Sequence, residues 1–342
     1  MTDGGVLKKT IGLYGLWHNV NKNRCIVDSY IFLTDDKRIG FAQIDETQQN
    51  FHMMIPESHQ LYRYKSFPWQ ENKERIERQG VLLEWVTGED ILTKILSTAC
   101  WFYDHTKINI THIQKSDKNG VYTPRCCRRN YMNSMNSTFN HIELLDELRS
   151  FKSICDNIVY LFNFIEPEEN NLFTYGNKIR ENLILACNEV EYLLVQFLNI
   201  NNYTKDRLNT TDFVKSQPHL KLNEYTVKFK NYPLLGEFSP FKDWNSASPT
   251  KSIPWYDAYN KVKHNRGTNR ETASLKALIS SAAAIHILIS AQYGLTIFSH
   301  YDSDYQSIFQ TIKAPSWILE DFDVPDIKTG SMMWTTPTTL TI

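Results

Sequence analysis

The stretch FNHIELLDELRSFKSICDNIVYLFNFI, from Phe139 to Ile165, decides the fold of the C-terminal half of this chain. Its apolar residues recur every three or four positions, which is the spacing of one face of an α-helix. Because proline disfavours helix at the residue before it, we expect this helix to end at Glu166, before Pro167. The predicted buried stripe consists of Phe139, Ile142, Leu145, Leu148, Phe151, Cys155, Ile158, Leu161 and Ile165.

Further helices are predicted downstream of this one. A helix over about 175–198 would bury one stripe, and a nearly continuous apolar helix over about 271–293 would lie at the centre of a bundle. Between them, the residues from Thr210 to Asp212 resemble a helix N-cap, and 220–229 alternates like a strand. The segment 231–254 contains four prolines and predicts a long loop. Pro254 suits the first turn of a helix over 255–265. The stripe over 175–198 consists of Ile179, Leu183, Ala186, Val190, Leu193 and Phe197.

The residues before this region favour strands. Short aromatic and β-branched runs are separated by turn-like segments, as in a meander. They are Thr10–Trp17, Cys25–Leu33 and Ile39–Ile44. Farther along, Glu89–Asp104 has helical spacing and Ile108–Ile113 alternates like a further strand. After His300 only a short helix around 305–312 is indicated. We therefore predict an α+β protein with a β-rich domain over 1–135, a mainly helical domain over 136–298 and a tail over 299–342.

Composition and charge bound the function. With a net charge of −1, nothing global indicates nucleic acid or a membrane surface, so anion binding must rest on local clusters. The six cysteines form no CxxC pair, which predicts free thiols in a reducing cytoplasm and no zinc site. The N-terminus lacks the apolar core of a signal peptide, and the polar residues in 277–298 favour a buried helix over a membrane span. Without a glycine-rich phosphate loop, we expect no nucleotide hydrolysis and neither cofactor nor metal.

The stretch WYDAYNKVKHNR, from Trp255 to Arg266, carries the chemistry. Asn260 and His264 are four residues apart and share a helix face, so Asn260 could orient the imidazole. Lys263 lies beside them, and with Arg266 it could neutralise a phosphate. These residue types would permit RNA cleavage without a metal, in which a base activates the 2′-hydroxyl and cations stabilise the phosphorane.

Three further positions of the same stretch are candidate substrate contacts. Lys261 belongs to a local surplus of positive charge, and Trp255 and Tyr259 could stack on bases. The alternative is structural: a histidine near an asparagine is more often a satisfied structural residue than a catalyst, and aromatic residues at this spacing are more often core. Separately, HIQKSDKNGVYTPRCCRR (112–129) could contact a phosphate backbone or be an ordinary basic loop, and its adjacent cysteines could be redox-active.

The run from Ile179 to Gly294 resembles the HEPN superfamily of helical domains, and most closely the uncharacterised bacterial HEPN-like proteins. The resemblance covers about a third of the chain. The matching segments are IRENLILACNEVE (179–191), TDFVK (211–215), SPFKDW (239–244), PWYDAYNKVKHNR (254–266) and the apolar helix after them.

This resemblance implies a helical bundle, frequent homodimerisation and metal-independent ribonuclease activity in toxin, phage-defence or RNA-processing systems. The family motif is an arginine, then a polar residue, then a histidine. His264 matches the histidine and Asn260 the polar residue, whereas Tyr259 stands at the arginine position. Lys263, Arg266 or Arg180 would then supply the charge.

We therefore expect a cytoplasmic homodimer that acts on RNA in bacterial defence, with an N-terminal domain that contacts a protein partner. Two alternatives stay open at this point: a catalytically inactive dimerisation or binding module, and a nucleotide sensor. A dimer that brings two His264 side chains together favours cleavage, whereas burial of His264 in an apolar core favours the scaffold. An enclosed pocket lined by Trp255, Lys263 and Arg266 favours the sensor.

Overall fold

The computed structural model describes residues 27–45, 50–56, 62–68, 110–128, 140–265, 267–300 and 305–342. A β-sheet region precedes a helical region, so the predicted α+β class is confirmed. The strand predicted over 10–17 and the helix predicted over 89–104 lie outside the described residues, as does Arg266 of the chemistry-bearing stretch.

The N-terminal region forms a five-stranded antiparallel sheet in the order β4-β3-β2-β1-β5. Consecutive strands β1 to β4 pair as neighbours, and β5 closes the edge beside β1. The predicted meander is confirmed for β1 and β2, whereas the sequence did not single out β3 or β4. The strands are β1 (Val27–Thr34), β2 (Ile39–Asp45), β3 (Asn50–Pro56), β4 (Tyr62–Pro68) and β5 (Ile110–Ser116).

The helical region is a bundle with small sheets at its side. Strand β7 (Thr226–Phe229) pairs with both β8 (Glu237–Phe238) and β9 (Phe309–Lys313), and β6 (Val121–Tyr122) pairs with β10 (Thr336–Pro337). The helices are α1 (His141–Leu161), α2 (Asn177–Ile200), α3 (Thr210–Phe213), α4 (Ser216–Leu220), α5 (Pro254–His264), α6 (Leu275–Tyr293) and α7 (Ile297–His300).

Helix α1 is shorter than predicted, and most of its predicted stripe is confirmed. Five of the predicted residues are buried: Leu148, Phe151, Cys155, Ile158 and Leu161. Asn140 caps its N-terminus, and after Leu161 the amides of the last turn bond three residues back, which tightens the turn and ends the helix. Ile142 is 79% exposed, so its place on the buried stripe was wrong, and Leu144 is buried instead. The stripe of α2 was predicted correctly, because all six of its residues are buried.

Two other local predictions were wrong. The stretch 220–229 is a strand only from Thr226, since Lys221 takes the left-handed conformation between α4 and a 3₁₀ turn. The segment around 305–312 forms strand β9 rather than a helix, because it pairs with β7. The capping signal at 210–212 belongs to α3, with Asn209 as the N-cap and Asp212 completing a capping box.

Helix α6 lies at the centre of the bundle. By length and composition, α2 and α6 are both apolar enough to cross a membrane. Within the protein, 89% of the apolar window of α6 is buried, and 44% of that of α2. Such burial is compatible with the core helix of a soluble protein, as predicted for this part of the chain.

The segment 305–342 contacts both regions. Its residues Leu319, Val324 and Ile327 cover one face of the sheet over Ile31 and Phe41. The buried amide of Gln43 fixes this contact, because it donates to the Pro325 carbonyl at 2.8 Å and accepts from the Ile327 amide at 3.0 Å. Farther along, the Leu340 amide donates to Asn201 beside α2.

Candidate functional site

Helix α5 carries the predicted site and begins where the sequence indicates. Pro254 occupies its first turn after an extended Ile253, and the helix ends at His264. One side of α5 is fixed in the core through Trp255, Ala258 and Val262, as expected for the latter two. Its remaining positions face α2 or solvent.

Tyr259 links α5 to α2 and to a lysine. Its hydroxyl donates to Asn188 Oδ1 at 2.9 Å and accepts from Lys263 Nζ at 2.8 Å. The ammonium also lies 4.8 Å from the centroid of the Tyr259 ring. Burial raises the pKa of Tyr259, and the hydrogen bond to Tyr259 raises the pKa of Lys263. A neutral phenol therefore holds a charged lysine in place.

A second tyrosine, one turn earlier on α5, also forms a hydrogen bond to a residue of α2. The Tyr256 hydroxyl donates to Glu191 Oε1 at 2.6 Å, and burial, followed by Glu191, raises the pKa of Tyr256. Because Tyr256 meets Glu191 and Tyr259 meets Asn188, α5 runs antiparallel to α2. The register carries Arg180, about 12 Å before Asn188 along α2, toward the end of α5 that holds His264.

His264 is exposed at the end of α5, and Asn260 is partly exposed on the same face. The structure gives His264 no hydrogen bond or ion pair with any described residue, and none joins it to Asn260. The imidazole is therefore accessible from solvent. The role of Asn260 in orienting it stays a prediction.

The other candidate contacts lie elsewhere. Trp255 is 4% exposed, and its indole donates to the Pro240 carbonyl at 3.0 Å. Tyr259 is 0% exposed. Both rings lie in the core, as the structural interpretation of the sequence expected. Lys261 pairs with Asp257 at 2.7 Å on the side of α5 turned away from α2, so it does not join Lys263.

The polar residues on α2 were missed as partners of α5. Asn188 and Glu191 lie on a helix whose stripe was predicted, but the sequence offered no signal that they would bond to tyrosines about 70 positions later. Helical spacing could have placed Arg180 and Asn188 on one side of α2, two turns apart.

A second polar cluster lies between α1, α2 and α6, and it removes the phosphate-binding role suggested for Arg125. The Arg125 guanidinium is buried and bonds Glu147 at 2.6 Å and Glu143 at 2.8 Å. It also donates to Gln292 Oε1, at 2.5 Å. Arg125 is thus a structural cation of the bundle rather than a contact for a phosphate backbone.

The same segment also bears on the suggested redox cysteines. Cys126 and Cys127 are buried, and burial raises the pKa of Cys126 to about 12. A reactive thiol requires a lowered pKa, so the redox interpretation was wrong for Cys126. Among the described residues, no group of three or more histidine, cysteine, aspartate or glutamate side chains could hold a metal ion.

Glu189 is the most perturbed carboxyl near this cluster. Its Oε1 is buried and has no hydrogen-bond partner among the described residues. Burial, with the charges of Glu147 and Asp146, raises the pKa of Glu189 to about 7, against the opposing charge of Arg125. Glu189 therefore titrates near neutral pH.

Comparisons with protein families, with curated proteins and with solved structures find no match to this chain.

Proposed function

We propose that this protein is an RNA-directed effector with a HEPN-like bundle, and that it cleaves RNA without a metal on the face shared by α2 and α5. The observation that carries the proposal is the exposed His264 one residue after Lys263, whose charge Tyr259 holds in place. An imidazole and a fixed cation, both open to solvent, are the two groups that cleavage by transesterification requires.

In the proposed reaction the 2′-hydroxyl attacks phosphorus and the bond to the 5′-oxygen breaks. The products are a 2′,3′-cyclic phosphate and a 5′-hydroxyl. His264 takes the proton of the 2′-hydroxyl or gives one to the leaving 5′-oxygen. Lys263 stabilises the added charge on the phosphorane, aided by Arg180 and Arg266. In a homodimer, the second proton transfer would fall to His264 of the other copy.

The departure from the family motif gains a physical interpretation here. Tyr259 stands where the family has an arginine, and the Tyr259 hydroxyl bonds the Lys263 ammonium one turn later. We infer that Lys263 provides the charge that the arginine provides in the family, with Tyr259 as its positioning residue.

The alternatives predicted different surroundings for these residues. A scaffold role predicted His264 in an apolar core, but the side chain is exposed. A nucleotide sensor predicted Trp255 and Lys263 in one pocket, but Lys263 does not line the cavity that Trp255 lines. The non-catalytic module keeps one supporting observation, the buried and fully bonded Tyr259 at the arginine position.

We further propose a bacterial cytoplasmic setting, in anti-phage defence or a toxin system, with a protein partner on the N-terminal region. Four described cysteines are free and buried, which suits a reducing compartment.

The test incubates purified wild-type protein and the His264→Ala variant with total RNA and tRNA in EDTA. His112→Ala is the matched control, because it removes another exposed histidine, on β5. We expect cleavage by the wild type and by H112A, with cyclic phosphate ends, and none by H264A. A folded wild-type dimer that leaves RNA intact would overturn the catalytic proposal and favour the non-catalytic module.

A second pair of variants tests the cation. Lys263→Met should lower the cleavage rate by about 100-fold or more, as for the loss of one charged group that stabilises a transition state. Lys261→Met, two residues away but turned from α2 and paired with Asp257, should change it far less. Equal losses in both variants would show that only the total charge of α5 matters.

A further inference from the structure

A cavity of about 520 Å³ lies where β9 packs against α6. Its walls come from α6 at His286, from α7, from β9 and from Lys230, which directly follows β7. No residue of α5 lines it. The cavity is therefore separate from the face that carries the proposed RNA chemistry, and it shares no residue with the cavity that Trp255 lines.

His286 forms part of the cavity wall and is linked to a hydroxyl group on each side. Its Nδ1 lies 2.8 Å from Ser307 Oγ, and its Nε2 lies 2.9 Å from Thr311 Oγ1. The Ser307 hydroxyl is buried and already accepts a hydrogen bond from the Phe309 amide at 3.0 Å. Its own proton needs an acceptor, and His286 Nδ1 is the one that the described part of the chain provides. Ser307 therefore donates to Nδ1, and the neutral ring carries its proton on Nε2.

This order of hydrogen bonds leaves the proton of Thr311 unused. His286 Nε2–H donates to Thr311 Oγ1, so the ring cannot also accept from that hydroxyl. The structure gives the Thr311 hydroxyl no other partner among the described residues, and Thr311 lines the cavity. Burial, followed by the charge of Lys230, lowers the pKa of His286 to about 3, so the ring stays neutral near neutral pH. The cavity thus holds a positioned donor whose acceptor must come from water or a ligand.

The charges in the lining have one sign. Lys230 and Lys313 line the cavity and are exposed, and the structure gives neither of them an ion pair with a described residue. Among the described residues, no aspartate or glutamate lines the cavity. A cationic ligand or a free amino acid would therefore find no described carboxylate for its ammonium group. Two cations and a hydroxyl donor select an anion.

Apolar side chains form another part of the wall. Leu295, Phe298 and Phe309 line the cavity, and the His286 ring stacks on Phe298 with centroids 4.6 Å apart and 11° between the planes. Small-molecule sites commonly combine such surfaces with a few polar groups, at volumes of about 300–1,000 Å³. An inorganic anion would use the lysines but leave this wall in contact with water. The ligand that uses the whole lining therefore carries an apolar body.

We propose that this cavity binds a monocarboxylate whose body is a phenyl ring or a short alkyl chain. One carboxylate oxygen accepts from the Thr311 hydroxyl, the charges of Lys230 and Lys313 attract the carboxylate, and the body lies against Phe298 and Phe309. A phosphate ester would add a third oxygen and a further charge that these donors do not satisfy. The site does not depend on the proposed ribonuclease.

The experiment measures binding of 3-phenylpropionate and hexanoate to the full chain by calorimetry. Acetate lacks the apolar body, 3-phenylpropanol lacks the charge, and phenyl phosphate carries the additional charge. We expect at least one of the two carboxylates to bind more tightly than each of these three. The double variant Lys230→Met/Lys313→Met should weaken that binding by about tenfold or more. Lys228→Met is the matched control, because Lys228 is exposed on β7 but does not line the cavity.

A second pair of variants tests the hydroxyl donor. Thr311→Val keeps the shape of the side chain but removes its proton, and it should weaken binding by about threefold or more. Thr311→Ser keeps the hydroxyl and should bind nearly as well as the wild type. Circular dichroism establishes that each variant is folded. If T311V does not fold, the comparison of the lysine double variant with K228M decides.

Four results would overturn the proposal. They are the absence of binding by both carboxylates, equally tight binding of acetate, 3-phenylpropanol or phenyl phosphate, unchanged binding in a folded lysine double variant or a folded T311V, and loss of binding in Lys263→Met or His264→Ala. The last would place the carboxylate on the RNA face.

Discussion

The Tyr259 hydroxyl oxygen lies 2.8 Å from Lys263 Nζ and 2.9 Å from Asn188 Oδ1, so one buried phenol connects a solvent-exposed cation on α5 to a polar side chain on α2. The direction of the two bonds is fixed, because the ammonium can only donate and the phenol then donates onward to the amide oxygen. Lys263 is thus held by a chain of polar groups rather than by a carboxylate.

Removing that phenol should cost stability and loosen Lys263. We expect Tyr259→Phe to lower the free energy of unfolding by about 1 kcal/mol, since the ring still packs but both hydrogen bonds are lost. Urea unfolding measures the change. Tyr160→Phe is the control, because the Tyr160 side chain is exposed and its loss of a hydroxyl should have no effect. Equal stability of Y259F and wild type would show that the two hydrogen bonds of the Tyr259 hydroxyl contribute nothing to stability.

Glu189 should make the protein less stable as pH rises through the neutral range. Its pKa rises from 4.5 to about 7 in the fold, so between these values the native state binds a proton that the unfolded state has released. Stability is therefore lost from pH 4.5 upward and stays lost above pH 7. We expect Glu189→Gln to abolish this decline and to be more stable than wild type by about 2–3 kcal/mol at pH 8.

The control for this prediction is Glu181→Gln on the same helix. Glu181 is exposed and pairs with Lys178, which lowers the pKa of Glu181. E181Q should therefore keep the wild-type decline between pH 4.5 and 7. If E189Q also kept the decline in stability, the titration of another group would be its cause.

Arg125 should contribute far more to stability than an exposed arginine on α1. Arg125→Met leaves the carboxylate of Glu147 buried without its partner, which should cost about 3–5 kcal/mol. Arg149→Met breaks only an exposed pair with Asp146 and should cost less than about 1 kcal/mol. Thermal unfolding compares the two. If adding Glu147→Met to R125M restored much of the loss, the unpaired charge would be its cause.

His286 should destabilise the protein in acid. Both ring nitrogens bond hydroxyls, of Ser307 and Thr311, and burial lowers the pKa of His286 to about 3. As pH falls from 6.5 toward 3, the unfolded state gains a proton that the native state does not, so stability is lost. Urea unfolding measures this loss. As pH falls, the free energy of unfolding of the wild type should decrease by about 1.4 kcal/mol per pH unit more than that of His286→Gln. The exposed His112→Gln should keep the wild-type slope.

Local pattern determined part of this fold and of the candidate site. The buried stripe of α2, the start of α5 at Pro254 and the hairpin of β1 and β2 were all predictable, because each follows from spacing or turn chemistry within a few residues. The α1 stripe was predictable from Leu148 to Leu161 but not at its first turn, where Leu144 is buried and Ile142 is exposed.

The remaining features depend on residues far apart in the chain. Phe309–Lys313 is a strand because β7 lies beside it, some 80 positions earlier. Arg125 looked like part of a basic loop because its acceptors, Glu147 and Gln292, come 22 and 167 positions later. The hydrogen bond from Tyr259 to Asn188 was not predictable for the same reason, because the two residues are far apart in the sequence. A pattern within one helix shows which side is polar but not what that side will meet.

Residues 319–327 cover one face of β1 and β2. This packing has a consequence for biosynthesis. During translation the sheet strands leave the ribosome long before Val324 and Ile327 do, so the face at Ile31 and Phe41 has no native cover in that interval. The sheet then keeps an exposed apolar surface until the residues up to Ile327 have been made. In a chain stalled shortly before Pro325, Gln43 would also lack both of its backbone partners, and that nascent protein should depend on chaperones that the finished protein no longer needs.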